Sequence, residues 1–197
     1  MIFLSKIFVG IDPSFTATGI AISDAEQSFV HTACIKTSKD DVLQKRIQDI
    51  IKGIFDNIRE KEPDFSNIVL GIEDYSYGSM RSVSATMLHE LSGNIKFQLW
   101  LKDIKYYVIS SNSWKKMLFG SKFRNGMTKD SSIMFTFKKY DVELLDNNIC
   151  DAFNIMKFTQ KAYEFENLHT PEQWNHGSME YDIFNKFFNP KTRKKRK

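Results

Sequence analysis

The stretch GIDPSFTATGIAI, residues 10–22, constrains the fold more than any other in the chain. An apolar run, Ile7-Phe8-Val9-Gly10-Ile11, leads straight into a carboxylate, Asp12. The chain then turns on small residues and returns as a second apolar run, Gly19-Ile20-Ala21-Ile22. Two short apolar runs joined by a tight turn read as antiparallel neighbours in a sheet. An acid that closes a core strand, followed by a turn built from Pro, Ser, Thr and Gly, needs a reason beyond folding.

The rest of the chain supplies the frame. Residues 7–12, 18–23 and 28–35 read as three strands with short connections. Residues 40–61 are helical, with Asp40 as a cap and Leu43, Ile47, Ile50, Ile54 and Ile58 at helical spacing. Pro63 ends that segment. Residues 67–73 form a buried strand that again ends in a carboxylate, Glu73. A long helix follows at 80–101, with Met87, Leu88, Leu91, Ile95 and Leu99 on its core face, then a short strand at 105–109. Ser113 can cap a short helix, Trp114 to Phe119; a Gly/Lys/Arg loop and a helix over 128–139 come next, and a last helix spans Asn147 to Tyr163. Three antiparallel strands followed by alternating helices and strands predict an α/β fold, a mixed five-stranded sheet flanked by helices. A ribonuclease-H-like sheet has that order. The expected organisation is one domain over 1–164 and a C-terminal extension over 165–197. Trp174, Tyr181, Phe184, Phe187 and Phe188 can pack as an extra helix there, and the tail after Pro190 is expected to be disordered.

Composition narrows the class. Hydrophobic residues make up 42% of 197, enough for a sizeable core. No apolar run reaches the roughly 18–20 residues that span a bilayer. Met1 to Lys6 is too short for a signal peptide, and Cys34 and Cys150 form neither a disulfide framework nor a zinc spacing. A reducing cytoplasm is the expected location. The net charge of +4 conceals segregation. Residues 191–197 carry six positive charges; without them 22 basic residues face 24 acidic ones. Residues 96–139 hold ten Lys and Arg against Asp103 and Asp130, whereas residues 140–190 hold nine acids against three lysines. A basic block beside an acidic block suits a polyanion-binding protein with a metal site, and equally a set of solvated helix faces.

Asp12 closes the first strand, Glu73 closes the fourth, and Asp151 lies in the first turn or so of a late helix. Neighbouring strands would present Asp12 and Glu73 side by side, and a helix packed across that end can bring Asp151. Each acid alone also fits a turn, a strand edge or a helix-end charge. Three clustered carboxylates repel one another unless cations lie between them. Hard oxygen donors favour Mg²⁺ or Mn²⁺. Two such ions, about 3.5–4 Å apart, serve in-line phosphodiester hydrolysis.

GIDPSFTATGIAI, IVLGIEDYSYG and DNNICDAFNI resemble the three signature stretches of the RuvC family of Holliday junction resolvases, in order and at family spacing. Between the last two, YYVISSNSWKKMLFGSKFRNGMTK is similar to the family's basic helix, glycine loop and lysine helix. The resemblance covers residues 5–163, and the size and composition look like a phage-encoded branch. It implies a metal-dependent endonuclease that resolves Holliday junctions by paired nicks, with two Mg²⁺ ions per site for which Mn²⁺ can substitute. Asp12, Glu73 and Asp151 become the metal-binding and catalytic acids. The family's fourth acid lies three residues before the last one, where this chain has Asn148. Asn148 keeps a carbonyl oxygen, and Asp146, just before the helix, is a substitute ligand. Lys115, Lys116, Lys122, Arg124 and Lys129 would contact the DNA backbone, with Lys129 reaching the scissile phosphate as a catalytic residue. Tyr75, Tyr77 and Arg81, directly after Glu73, would wedge into or stack on bases at an opened branch point. Ser14 and Thr16 can donate to a phosphate or satisfy the turn. The helix at 80–101 would form a two-fold homodimer interface on four-way and other branched DNA. Alternatives are a broader fork or flap nuclease and a non-catalytic junction binder.

Overall fold

Strands β1 (Ile7–Asp12), β2 (Ala17–Asp24) and β3 (Val30–Lys36) form an antiparallel meander. Strands β4 (Ile68–Asp74) and β5 (Lys105–Ser110) add in parallel beyond β1, giving the order β3-β2-β1-β4-β5. The structure, a computed structural model, describes residues 6–74, 83–122, 129–167, 175 and 177–190. The sheet is the expected mixed five-stranded one, with helices on both faces.

Alternation along the strands builds two cores. Val9, Ile11, Ile20, Ile22, Leu70 and Ile72 point to one face and pack against helices α1 (Leu43–Lys61) and α2 (Val83–Leu101). Ile50, Ile54 and Ile58 of α1 and Leu91, Ile95 and Leu99 of α2 are fully buried there. Each such side chain contributes about 1.5–3 kcal/mol by leaving water. The other face carries Phe8, Ala21, Val69 and Ile109. Helices α3 (Ser111–Phe119), α5 (Asn147–Asn167) and α6 (Met179–Phe188) cover it, and α4 (Lys129–Tyr140) packs outside on α3 and α5.

Helix α5 is sandwiched between the sheet and other helices, so every residue from Ala152 to Gln160 is buried. Most of its polar groups there find internal partners, Asn154 Oδ1 having none among the described residues. Asn154 Nδ2 donates to Thr136 Oγ1 at 2.7 Å and to the Cys150 carbonyl at 2.8 Å. Gln160 Nε2 donates to the Ala25 carbonyl at 2.9 Å. The Lys157 ammonium lies over the Tyr140 and Phe153 rings, and burial pushes its pKa down to about 8.

Several local expectations change. Helix α1 starts at Leu43, after an extended Val42 that makes no side-chain cap, so Asp40 does not cap it. Ser110, not Ser113, caps α3, its hydroxyl accepting from the Ser113 N–H at 3.3 Å. The last strand residue thus doubles as the cap, and no loop separates β5 from α3. Helix α5 runs on to Asn167, so a boundary at 164 falls inside it. Residues 179–188 form the extra helix, and Phe184 is fully buried in the second core. The basic tail, 191–197, lies outside the described residues. Among the described residues no helix is long and apolar enough to cross a membrane.

Candidate active site

Strand parity selects the site. Ile7, Val9 and Ile11 face α1 and α2, so Phe8, Gly10 and Asp12 face α5. In β4, Ile68, Leu70 and Ile72 face the first core, so Val69, Gly71 and Glu73 face α5. The parallel register pairs Gly10 with Gly71 and Ile11 with Ile72. Asp12 and Glu73 are therefore the next pair along, at the C-terminal ends of adjacent strands.

Glycines let α5 come down onto this part of the sheet. A Cβ at Gly10 would lie 2.1 Å from the Ala152 carbonyl oxygen, and one at Gly19 would lie 2.0 Å from that of Asn148. Gly19 is the register partner of Asp12, so the start of α5 sits directly over the end of β1. From there α5 runs back along the sheet, with Met156 over Gly10 and Tyr163 edge-on to Phe8 at 5.7 Å. Ile155 and Thr159 lie over Gly71. Asp151 precedes Ile155 by one turn, about 5.4 Å along the axis, which carries it toward the end of β4 and Glu73.

The two strand acids meet. The Glu73 carboxyl hydrogen-bonds to that of Asp12. Burial raises the Glu73 pKa, and Asp74 adds to this; the Asp12 hydrogen bond, the Lys115 ammonium and the Trp114 indole oppose it. Two acids crowded into one partly dry place repel, and positive charge between them relieves the repulsion. Among the described residues no three His, Cys, Asp or Glu side chains close into a metal-ligand set. Asp12 and Glu73 come together; Asp151, in the second turn of α5, does not close a three-carboxylate set with them.

Asp146 has a different job at hand. Its Oδ1 accepts from the Asn148 and Ile149 N–H groups at 2.8 and 3.1 Å, the geometry of an N-cap on α5. It lies toward β3, where its charge helps raise the Cys34 thiol, chiefly pushed up by burial. Asn148 gives the site its backbone position beside Gly19. The turn after Asp12 satisfies itself. Ser14 Oγ accepts from the Thr16 N–H at 3.2 Å, and Thr18 Oγ1 donates to the Ser14 carbonyl at 2.6 Å. Arg46 fixes the turn from outside, donating to the Phe15 carbonyl at 2.8 Å and to Thr37 Oγ1 at 3.0 Å.

Of the basic residues, Lys115 lies near Glu73 with its ammonium 5.1 Å over the Trp114 ring. Lys116 is exposed, and Lys122 is exposed over the Phe135 ring at 5.8 Å. Lys129 opens α4. The Lys129 side chain, and Tyr75, Tyr77, Arg81 and Arg124 entirely, lie outside the described residues. Two residues escaped the sequence reading. Trp114 is fully buried, its indole N–H makes no hydrogen bond among the described residues, and it lies close enough to Glu73 to favour its carboxylate form. Asn147, the first residue of α5, holds a buried Oδ1 that no described donor reaches. A tryptophan in an apolar helix reads as core, and an Asn before a helix reads as a cap. Only the three-dimensional path of α3 and α5 past the strand ends sets them apart.

The family model for crossover junction endodeoxyribonuclease RuvC matches residues 8–136. The chain belongs to the RuvC family. The matched stretch contains Asp12, Glu73 and the α3 lysines, and ends before Asp151. Among solved structures, Thermus thermophilus RuvC in complex with Holliday junction substrate matches with a TM-score of 0.63 at 14% identity, covering 82% of this chain and 95% of that one. A second Thermus thermophilus RuvC structure matches at 0.61 and 15% identity, over 81% and 95%. The yeast mitochondrial Holliday junction resolvase matches at 0.50 and 11% identity, over 81% and 80%. At these identities the structural likeness speaks for the fold, and the family match carries the activity. No curated protein matches the sequence. As a RuvC-family member the protein is a metal-dependent nuclease that resolves Holliday junctions.

Proposed function

We propose that Asp12, Glu73 and Asp151 hold two divalent cations, Mg²⁺ with Mn²⁺ able to substitute, and that the chain nicks four-way DNA as a homodimer. The observation that carries this reading is the meeting of Asp12 and Glu73 at the ends of β1 and β4, under the start of the helix that bears Asp151. The donor chemistry fits: all three side chains offer hard carboxylate oxygens, and the burial that raises the Glu73 pKa is a cost to its charged form that a bound cation would offset. When bound, the cations would supply Lewis-acid chemistry for water attack on a phosphodiester and for departure of the 3′-oxygen, a cut that would leave 5′-phosphate and 3′-hydroxyl ends.

The chain's own residues do the rest. Gly10 and Gly19 set the height of α5, and with it Asp151, above the strand acids. The Trp114 indole and the Lys115 ammonium lie near Glu73 and favour its carboxylate form. Asn148, where the family has an acid, lowers the charge of the set, and Asp146 is spent as a helix cap and contributes at most its second oxygen. Lys116, Lys122, Arg124 and Lys129 track the backbone, with Lys129 at the scissile phosphate. Tyr75, Tyr77 and Arg81 engage the opened branch point.

A dimer is supported by α2. Val83, Phe97, Trp100 and Leu101 are exposed on it, and Phe97 and Trp100 stack at 6.1 Å. Two copies joined along this helix would bring two sites to one junction and pair the nicks. The test is a labelled four-way junction, a fork and a linear duplex, each with Mg²⁺, Mn²⁺ or EDTA. Metal-dependent paired nicks confined to the junction are the expected result. Equal cutting of the fork would make the protein a broader branched-DNA nuclease, and binding without cutting in either metal would make it a junction-binding module.

A further inference from the structure

Helix α6 comes from the part of the chain beyond the family match, yet it lies against the site's own scaffold. It crosses the outer side of α3. At one end Met179 rests on Gly120, just past α3; at the other, Phe187 and Phe188 meet Tyr107 of β5 edge-on at 6.0 and 5.9 Å. Phe184 anchors the middle against Phe158 at 4.9 Å. Between α6 and the β5–α3 junction lies a groove of about 370 Å³, whose polar lining is Ser110, Asn112, Ser113, Lys116, Asp182 and Lys186.

Two cations, one from each helix, face this groove against a single acid. Neither Lys116 nor Lys186 forms an ion pair among the described residues. The groove lies at the same end of the sheet as the strand acids: Ser110 is the register partner of Asp74, which follows Glu73. Five residues after Lys186 the sequence begins its run of six positive charges. Unpaired ammonium groups, flanking hydroxyls and an amide suit the phosphate oxygens of a nucleic-acid backbone, and Met179, Ile183 and Phe187, which also line the groove, can meet its deoxyribose carbons.

We propose that the groove between α3 and α6 is a second contact for the sugar–phosphate backbone of a junction arm, with Lys186 as its own cation and Lys116 shared with the cutting site. The C-terminal helix thereby extends the DNA footprint along the β5 edge. This rests on the proposed junction nicking.

The experiment uses the full chain in an Asp12→Asn background, so that bound junction stays uncut, and follows fluorescence anisotropy of a labelled four-way junction across a salt series. Lys186→Gln is expected to weaken binding by about threefold to tenfold and to lower the log–log salt slope by about 1. Lys186→Arg should restore both. In otherwise native protein, Lys186→Gln should leave the nicking rate of saturated junction unchanged. Unchanged affinity and slope for Lys186→Gln, in protein that still binds the junction, would overturn the groove while sparing the nuclease reading. Native protein that neither binds nor cuts the junction would instead overturn the reading beneath it.

Discussion

Glu73 is worked on from several sides: burial drives its pKa up, and Asp12, Lys115 and Trp114 draw it down. Of these, the Trp114 indole is the most rigid, because the side chain is fully buried in the second core. Trp114→Phe keeps the ring and removes the donor. The expected result is junction nicking slower by about tenfold with a raised Mn²⁺ concentration at half-maximal rate. The melting temperature should move only a few degrees, as for about 1 kcal/mol. A lowered melting temperature with an unchanged metal response would mean that Trp114 is packing alone. The meeting of Asp12 and Glu73 was legible in the sequence because each lies at the end of a core strand, and strand parity turns that placement into a shared face. The division of labour among them was not legible. Asp146 and Asn148 differ by two positions, and only the hydrogen bonds at the start of α5 make Asp146 the cap.

At the scale of elements, the close seat of α5 on β1 and β2 is the feature on which the site depends. Gly10→Ala places a methyl where the Ala152 carbonyl and the Met156 amide already are. Backbone cannot rotate away, so α5 must lift, at about 1–3 kcal/mol or more. Asp151 lifts with it. Urea unfolding should show the loss of stability, and nicking should fall further than the unfolded fraction explains. Nicking that falls only in proportion to folded protein would mean that the height of α5 does not matter. The strands and α1 were readable because their apolar residues recur with period 2 or 3.6. The α3 cap was misplaced because Ser110 and Ser113 offer equivalent capping oxygens to a reader without backbone angles, and the α1 cap because that helix starts after Val42 with no side-chain cap at all. Helix α5 lacks a stripe because neighbours bury it all round.

At the scale of the whole molecule, the C-terminal helix α6 is part of the fold. Its aromatic residues were visible, but nothing in their spacing told that Phe184, Phe187 and Phe188 insert between β5 and α5. The opposite side of the molecule leaves Phe97 and Trp100 in water. Trp100→Glu should yield a folded monomer by sedimentation velocity, one that makes single nicks in place of paired ones. A variant that sediments like the native protein would place the dimer contact elsewhere.

The most direct measurement is single-turnover nicking of a labelled four-way junction in Mn²⁺ by native protein and Asp151→Asn, with junction affinity measured alongside. If Asp151 completes one cation site with Asp12 and Glu73, the variant nicks at least about 100-fold more slowly and binds the junction as tightly as before. Nicking within a few-fold of native would contradict the shared site and leave Asp151 as a charge on the end of a helix.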